Sequence, residues 1–299
     1  MNISKNHKKD ITHLITTISR GGAENQLLTL IKAQIYSGST VTVIYLKDKP
    51  DLKNEFIAAG AKVNDNFSNL NPILQIFGLW KYFKNHATII HSHLPRAEIF
   101  AAITKSKNTF VISRHNAESF IPKKPGLISI ALSRYCVNRS NSVICISKAN
   151  SILMKNLKEI GNRREIEVVH YAIDEDFKNL DISRSNLRVE LGLTNRFVVG
   201  TAARLVEQKD YPTLLYGFSE FLTILPEAIL IVLGSGDLEI ELKNLALKIG
   251  ISEKIIWVGK TDKVKEYMKT FDVFAFTSLG EGFGLVLLEA MFAGTPIVA

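Results

Sequence analysis

The chain has 299 residues, 46% of them hydrophobic and 22% charged, which is the balance of a globular protein and a length that favours two domains over one. No apolar stretch approaches the roughly 20 residues that a bilayer span needs, and the opening MNISKNHKKD carries lysines with no apolar run behind them, so it does not read as a secretory signal. The net charge of +8 is unevenly spread: residues 1–180 hold 25 Lys and Arg against 14 Asp and Glu, whereas residues 181–299 hold 12 against 15.

In chain order, residues 11–18 (ITHLITTI) read as a strand, with Gly21 and Gly22 in the turn behind it. A helix follows to about residue 37, carrying Leu27, Leu28, Ile31 and Ile35 on one face, and residues 41–46 form the next strand. This is a βαβ opening with glycines where backbone can approach a ligand. Residues 71–86 (NPILQIFGLWKYFKNH) form an amphipathic helix, with Ile73, Ile76, Phe77, Trp80 and Phe83 set against Lys81 and Lys84. Such a helix suits either a core with a basic rim or a membrane surface. Residues 87–93 (ATIIHSH) and 109–115 (TFVISRH) read as strands ending in His91, His93 and His115, at the end of a parallel sheet where ligands sit. Residues 142–147 and 165–170 are further strands with a basic helix at 148–161 between them. Cys136 and Cys145, the only cysteines, lack metal spacing and are expected to be reduced thiols of a cytoplasmic protein.

Residues 174–196 are polar, and the domain boundary is placed there, giving domains at 1–180 and 181–299. The second half restarts the alternation: strand 197–203, helix 211–224, strand 228–234, helix 238–249, strand 254–258. Alternating strands and helices require parallel sheets with right-handed crossovers. The fold class is therefore α/β, with two Rossmann-like domains facing a cleft. Residues 272–277 (DVFAFT) form a last buried strand that feeds a glycine-rich turn and a helix from about residue 285 to 292, with Gly294 and Pro296 closing it. The helix start offers free N–H groups to an anion such as phosphate. Glu281 and Glu289 flank that start with seven residues between them, about 8 Å of helical rise separating Glu289 from the turn. One acid on each side of a bound diphosphate is the outline of a nucleotide-sugar site.

The block Glu281-Gly282-Phe283-Gly284 through Glu289, continued as Ala290-Met291 to Gly294-Thr295-Pro296, resembles the E-x7-E signature of family 4 glycosyltransferases of the GT-B fold. Gly21-Gly22-Ala23-Glu24 resembles the donor-facing loop of that family, Arg204-Leu205-Val206-Glu207-Gln208-Lys209 its diphosphate clamp, and Gly234-Ser235-Gly236 its segment near the nucleotide. His170-Tyr171-Ala172 departs from the family's Asn-Gly before an aliphatic residue and Asp. The resemblance implies transfer of a sugar from a nucleotide diphosphate to an acceptor, with retention. It implies catalytic roles for His115, Glu281, Arg204 and Lys209, with His93 second to His115 near the sugar. It further implies substrate contacts from Gly21, Gly22, Gly234, Gly236, Phe283, Gly284 and Glu289. Two cations and a helix end supply the positive charge, no Asp-x-Asp pair is in place, and neither metal nor cofactor is expected beyond the co-substrate itself. No residue stands out as a base. The family continues past an equivalent of Ala299, so the second domain is expected to be incomplete. A different GT-B enzyme, such as an epimerase or phosphorylase, and an inactive truncated binding protein remain open.

The basic first half suggests an anionic partner. Nucleic acid is not expected, since no RNP, zinc or helix-turn-helix pattern occurs. A lipid-linked or surface-polysaccharide glycan as acceptor fits, on the inner face of the plasma membrane, with Lys81, Lys84, Lys123 and Lys124 beside Trp80, Phe83 and Phe120 as contacts.

Overall fold

The computed structural model describes residues 9–115, 118–121, 126–161, 166–173 and 184–299. It divides into two compact units, Met1–Ala172 and Ile173–Ala299. The boundary expected at residue 180, together with Lys123, Lys124 and Asp174, lies outside the described residues.

The first unit runs β1 (Asp10–Ile15), α1 (Gly22–Tyr36), β2 (Thr40–Tyr45), α2 (Lys53–Ala58), β3 (Lys62–Asn64), α3 (Pro72–Asn85), β4 (Ile89–His93), α4 (Pro95–Thr104), β5 (Thr109–Arg114), α5 (Leu127–Arg139), β6 (Ser142–Cys145), α6 (Lys148–Asn156) and β7 (Glu167–Val168). Its sheet is parallel throughout, in the order β3-β2-β1-β4-β5-β6-β7. Alternate residues of each strand face opposite layers. Leu14, Ile44, Ile90, Ile112 and Val143 join one core cluster, and Ile15, Val41, Val43 and Tyr45 join the other.

The second unit continues with α7 (Arg184–Glu190), β8 (Val198–Ala202), α8 (Tyr211–Ile224), β9 (Ile229–Leu233), α9 (Glu239–Lys248), β10 (Ile255–Gly259), α10 (Val264–Thr270), β11 (Val273–Ala275), α11 (Leu285–Phe292) and β12 (Ile297–Val298). Its sheet, in the order β10-β9-β8-β11-β12, is also parallel. In both sheets the strand order reverses once, between β1 and β4 and between β8 and β11. Ligands of open α/β sheets bind outside the carboxyl ends of strands at such a reversal.

One expectation about packing needs correction. Helix α3 starts as its sequence implies: Pro72 occupies the first turn and the Asn71 side chain accepts from Leu74 N at 3.0 Å. Its buried stripe, however, is Gln75, Leu79 and Phe83, while Ile73 is 79%, Phe77 62% and Trp80 43% exposed. Gln75 can be buried because its amide donates to Leu46 O at 2.7 Å and to Phe67 O at 2.6 Å, and its Oε1 accepts from Arg96 at 2.8 Å. A satisfied polar residue thus takes the core face and turns an apolar stripe outward. Phe83 and Phe120, by contrast, are buried and so unable to meet a membrane.

Candidate functional site

The reversal in the second sheet gathers charge. After β8 the chain carries Arg204 into solvent, makes one short turn at Glu207–Lys209 and enters α8. Asp210, held at φ 44°, caps α8 by accepting from Thr213 N and Thr213 Oγ1. The loop after β11 is stitched to this segment. Leu279 N donates to Gln208 O at 2.9 Å, Gln208 Nε2 to Gly280 O at 2.6 Å, and Thr277 Oγ1 to Lys209 O at 2.9 Å. The stitching brings the Lys209 ammonium onto Glu281 Oε1, which also accepts from Ser278 Oγ at 2.8 Å. Lys209 and Glu281, expected to act separately, are therefore an ion pair. Among the described residues the second carboxylate oxygen of Glu281 has no partner, and the exposed Arg204 pairs with no acid.

Gly284, in the left-handed region at φ 74°, turns the chain into α11 as its N-cap. Glu289, within α11, is half-buried, and loss of water pushes its carboxyl up to about 7 against the opposing pull of Lys265. Gly234 and Gly236 have a packing reason for being glycine. A Cβ at Gly234 would lie 2.0 Å from Ala203 O, and one at Gly236 2.3 Å from Leu205 O. The turn after β9 thus lies directly against the backbone that presents Arg204, fixed by Leu205 N donating to Ser235 O at 3.1 Å.

The reversal in the first sheet gathers imidazoles instead. His13 of β1 is the register partner of His91 of β4, and His93 follows two residues on, so all three face the same layer. His115 lies just past β5 on the same alternation. The His13 Nδ1 and His93 Nε2 atoms are 3.0 Å apart, and His93 Nδ1 and His115 Nε2 are 2.9 Å apart. Gln34 of α1 meets His13 Nε2 through Oε1 at 2.8 Å, and Tyr171 meets His115 Nδ1 through its hydroxyl. His91 bonds Ser113 Oγ at 2.8 Å. Desolvation lowers the pKa of His13 and of His115 to about 4 and holds His91 and His93 well below the ordinary range, so the whole group is neutral.

His13, His91 and His93 each bring a ring nitrogen within 4.8 Å of the others, a spacing that could hold a metal ion. The trio contains no carboxylate to offset a buried dication, and both nitrogens of His13 and His93 and the Nε2 of His91 already serve the bonds just described. Arg114, beside His115, turns to the opposite layer. There it pairs with Glu98 at 2.8 Å and Glu159 at 3.2 Å and stacks over Phe120, pinning the end of β5 from which His115 projects.

At the start of α1, Thr17 Oγ1 donates to the Glu24 carboxylate at 2.9 Å, and a Cβ at Gly21 would lie 2.5 Å from Glu24 Oε2. Gly21 is therefore filled by the chain's own acid, whereas Gly22 faces open space. His13, Gln34 and Tyr171 were not found from sequence. The alternation in His91-Ser92-His93 was a usable signal for two of the rings, but only strand register brings His13 beside them.

The family model described as Glycosyltransferase Family 4 matches residues 20–177, and one described as Glycosyl transferases group 1 matches residues 183–299. An uncharacterised glycosyltransferase of Methanocaldococcus jannaschii is 29% identical over 241 residues, covering 75% of this chain and 59% of the relative. The UDP-Gal:alpha-D-GlcNAc-diphosphoundecaprenol alpha-1,3-galactosyltransferase of Escherichia coli is 24% identical, covering 78% of this chain and 63% of its own. The crystal structure of Anabaena HepE in complex with UDP and glucose matches in fold with a TM-score of 0.83 at 22% identity, covering 97% of this chain and 80% of that one. The chain spans about six-tenths of the length of the first curated relatives it matches.

Proposed function

The chain belongs to glycosyltransferase family 4, and on that premise we propose that it carries a sugar from a nucleotide diphosphate to a glycan or lipid-linked acceptor, with retention at the anomeric carbon. The observation that carries the proposal is the joined pair of loops at the reversal of the second sheet. Among the described residues they leave the exposed Arg204 without an acidic partner and hold Glu281 by one oxygen, with the other unpartnered. Arg204, aided by Lys209 and the α11 start at Gly284, stabilises the charge that grows on the leaving diphosphate. Because Lys209 already answers Glu281, Arg204 takes the larger share. Glu281 orients sugar hydroxyls, Glu289 meets the ribose, and His115 meets the donor sugar. Gly22, Gly234, Gly236 and Phe283 line the nucleotide sugar. In the transfer, the acceptor oxygen bonds to the anomeric carbon as the bond to phosphate breaks, and the acceptor proton passes to the departing phosphate oxygen. This needs no protein base.

The relatives lend support to an acceptor of this class: the Escherichia coli enzyme's name specifies a diphosphoundecaprenol acceptor, and a Rhizobium meliloti relative is named for lipopolysaccharide core biosynthesis. An anionic bilayer is the surface on which such an acceptor would be met, and the protein would lie peripherally on its cytoplasmic face. No helix among the described residues is long and apolar enough to cross a membrane. The exposed stripe Ile73, Phe77 and Trp80 of α3, with Lys84 4.9 Å over the Trp80 ring, suits contact from one side.

The test is calorimetric titration with UDP, paired with a transfer assay. Arg204→Ala should weaken UDP binding at least tenfold, about 1.4 kcal/mol, and Lys209→Ala should weaken it less. Transfer should survive excess chelator. Unchanged UDP affinity in Arg204→Ala would remove the clamp from the proposal, and loss of transfer on chelation would bring a metal into it.

A further inference from the structure

The first unit holds an unbroken hydrogen-bonded file, Gln34–His13–His93–His115–Tyr171, that the transfer chemistry above does not use. A neutral imidazole has one N–H and one bare nitrogen, so a file of neutral rings has only two self-consistent directions. The Gln34 end decides between them. Gln34 presents a carbonyl oxygen to His13 Nε2, which must therefore carry the proton, leaving His13 Nδ1 as the acceptor. His93 then donates from Nε2 and accepts at Nδ1, and His115 repeats the arrangement. At the far end Tyr171 donates its hydroxyl proton to His115 Nδ1. Burial raises the Tyr171 phenol and keeps it protonated; a phenol can donate or accept, so this end follows the direction that Gln34 sets. Burial of the imidazoles removes the charged form that would break the file.

We infer that Gln34 and His13 are positioning residues, which act through His93 to hold His115 with an unprotonated Nδ1, a fixed acceptor for a hydroxyl. In this structure Tyr171 supplies that hydroxyl, from the segment where the chain departs from the family pattern. In a complex, a hydroxyl of a neutral sugar takes its place, and a sugar carboxylate at that position is disfavoured for want of a donor to meet it. The effect on transfer rests on the proposed contact of His115 with the donor sugar; the tautomer itself does not.

The full chain, labelled with ¹⁵N at histidine, reports each ring's tautomer by NMR. In the unaltered chain His13, His93 and His115 should all carry the proton on Nε2. Gln34, on α1, is only partly buried. Gln34→Glu keeps an acceptor and should preserve the pattern and the transfer rate. Gln34→Lys offers only a donor and should reverse all three rings, moving the His115 proton to Nδ1 and lowering kcat at least tenfold with little change in KM. Should that variant fail to fold, Gln34→Leu should show both tautomers at His115. A folded Gln34→Lys chain with His115 still protonated on Nε2 would overturn the inference. So would ring signals of His13 and His93 that move on adding chelator, since the nitrogens would then be holding a metal. A reversed tautomer with unchanged transfer would uphold the positioning and instead remove His115 from the sugar.

Discussion

The two sheets reverse their strand order in the same way, yet they furnish the reversal with opposite chemistry. At β8 and β11 the side chains are charged and half-exposed: Arg204 is open, Lys209 is on Glu281, and Glu289 is near its titration point. At β1 and β4 they are neutral, buried and bonded to one another. Topology fixes only where a ligand can sit. Residue chemistry then decides which groups each reversal suits: a diphosphate calls for fixed positive charge in reach of water, whereas a hydroxyl calls for an aligned acceptor.

The contrast extends to the glycines, and exchange there should produce the largest effect. Gly234 sits at φ +125° with Ala203 O where a Cβ would go, so Gly234→Val should destabilise the chain by more than about 3 kcal/mol. Calorimetry should record a fall in Tm of roughly 10 °C, together with weaker UDP binding, because the Arg204 backbone moves with it. Gly22 faces open space, and Gly22→Ala should change stability by less than about 0.5 kcal/mol. A Gly234→Val chain as stable as the parent would show that the turn can leave the β8 loop without loss.

Next in size is the pH response of Glu289. An ionised carboxylate binds ribose hydroxyls more strongly than a neutral carboxyl does, and burial lifts Glu289 to about 7. UDP-sugar affinity should therefore rise about tenfold from pH 6 to pH 8, and Glu289→Gln should flatten the curve. Stability should move the other way. The unfolded carboxyl ionises near 4.5 and the folded one near 7, so the folded chain binds the extra proton between them and loses stability as pH rises through that window. A flat affinity profile in the unaltered chain would separate Glu289 from the ribose.

The smallest effect concerns the outward stripe of α3. Sedimentation with anionic vesicles should fall several-fold when Ile73 and Phe77 become Ser, and by a further factor when Lys81 and Lys84 become Gln, each charge contributing about 1 kcal/mol near the surface at low salt. Equal recovery with neutral and anionic vesicles would leave α3 without a bilayer partner.

Most of the alternation was legible in the sequence. Helix α8 falls where its periodicity put it, and α11 ends at Phe292 with Gly294 at φ 76° behind it, because periodicity, caps and breakers are local properties of the chain. Short α2 and β3 escaped notice, since six and three residues carry too little pattern; α4, α5 and α10 were not placed either, and α4 is buried around most of its surface, so it shows no single apolar face. Which face of α3 is buried was not legible for a different reason: Gln75 reaches the core only because carbonyls of Leu46 and Phe67, distant in sequence, wait for its amide.

The sequence alone determined the two α/β units, the glycine turns and the residue types at Arg204, Glu281, Glu289 and His115, all of which rest on local spacing and on motif. Tertiary structure decided which groups meet. It joined Lys209 to Glu281 across 72 positions and His13 to His93 across 80. Such pairings depend on strand order and register, which bring residues within 3 Å however far apart they stand in the chain, and no local pattern encodes them.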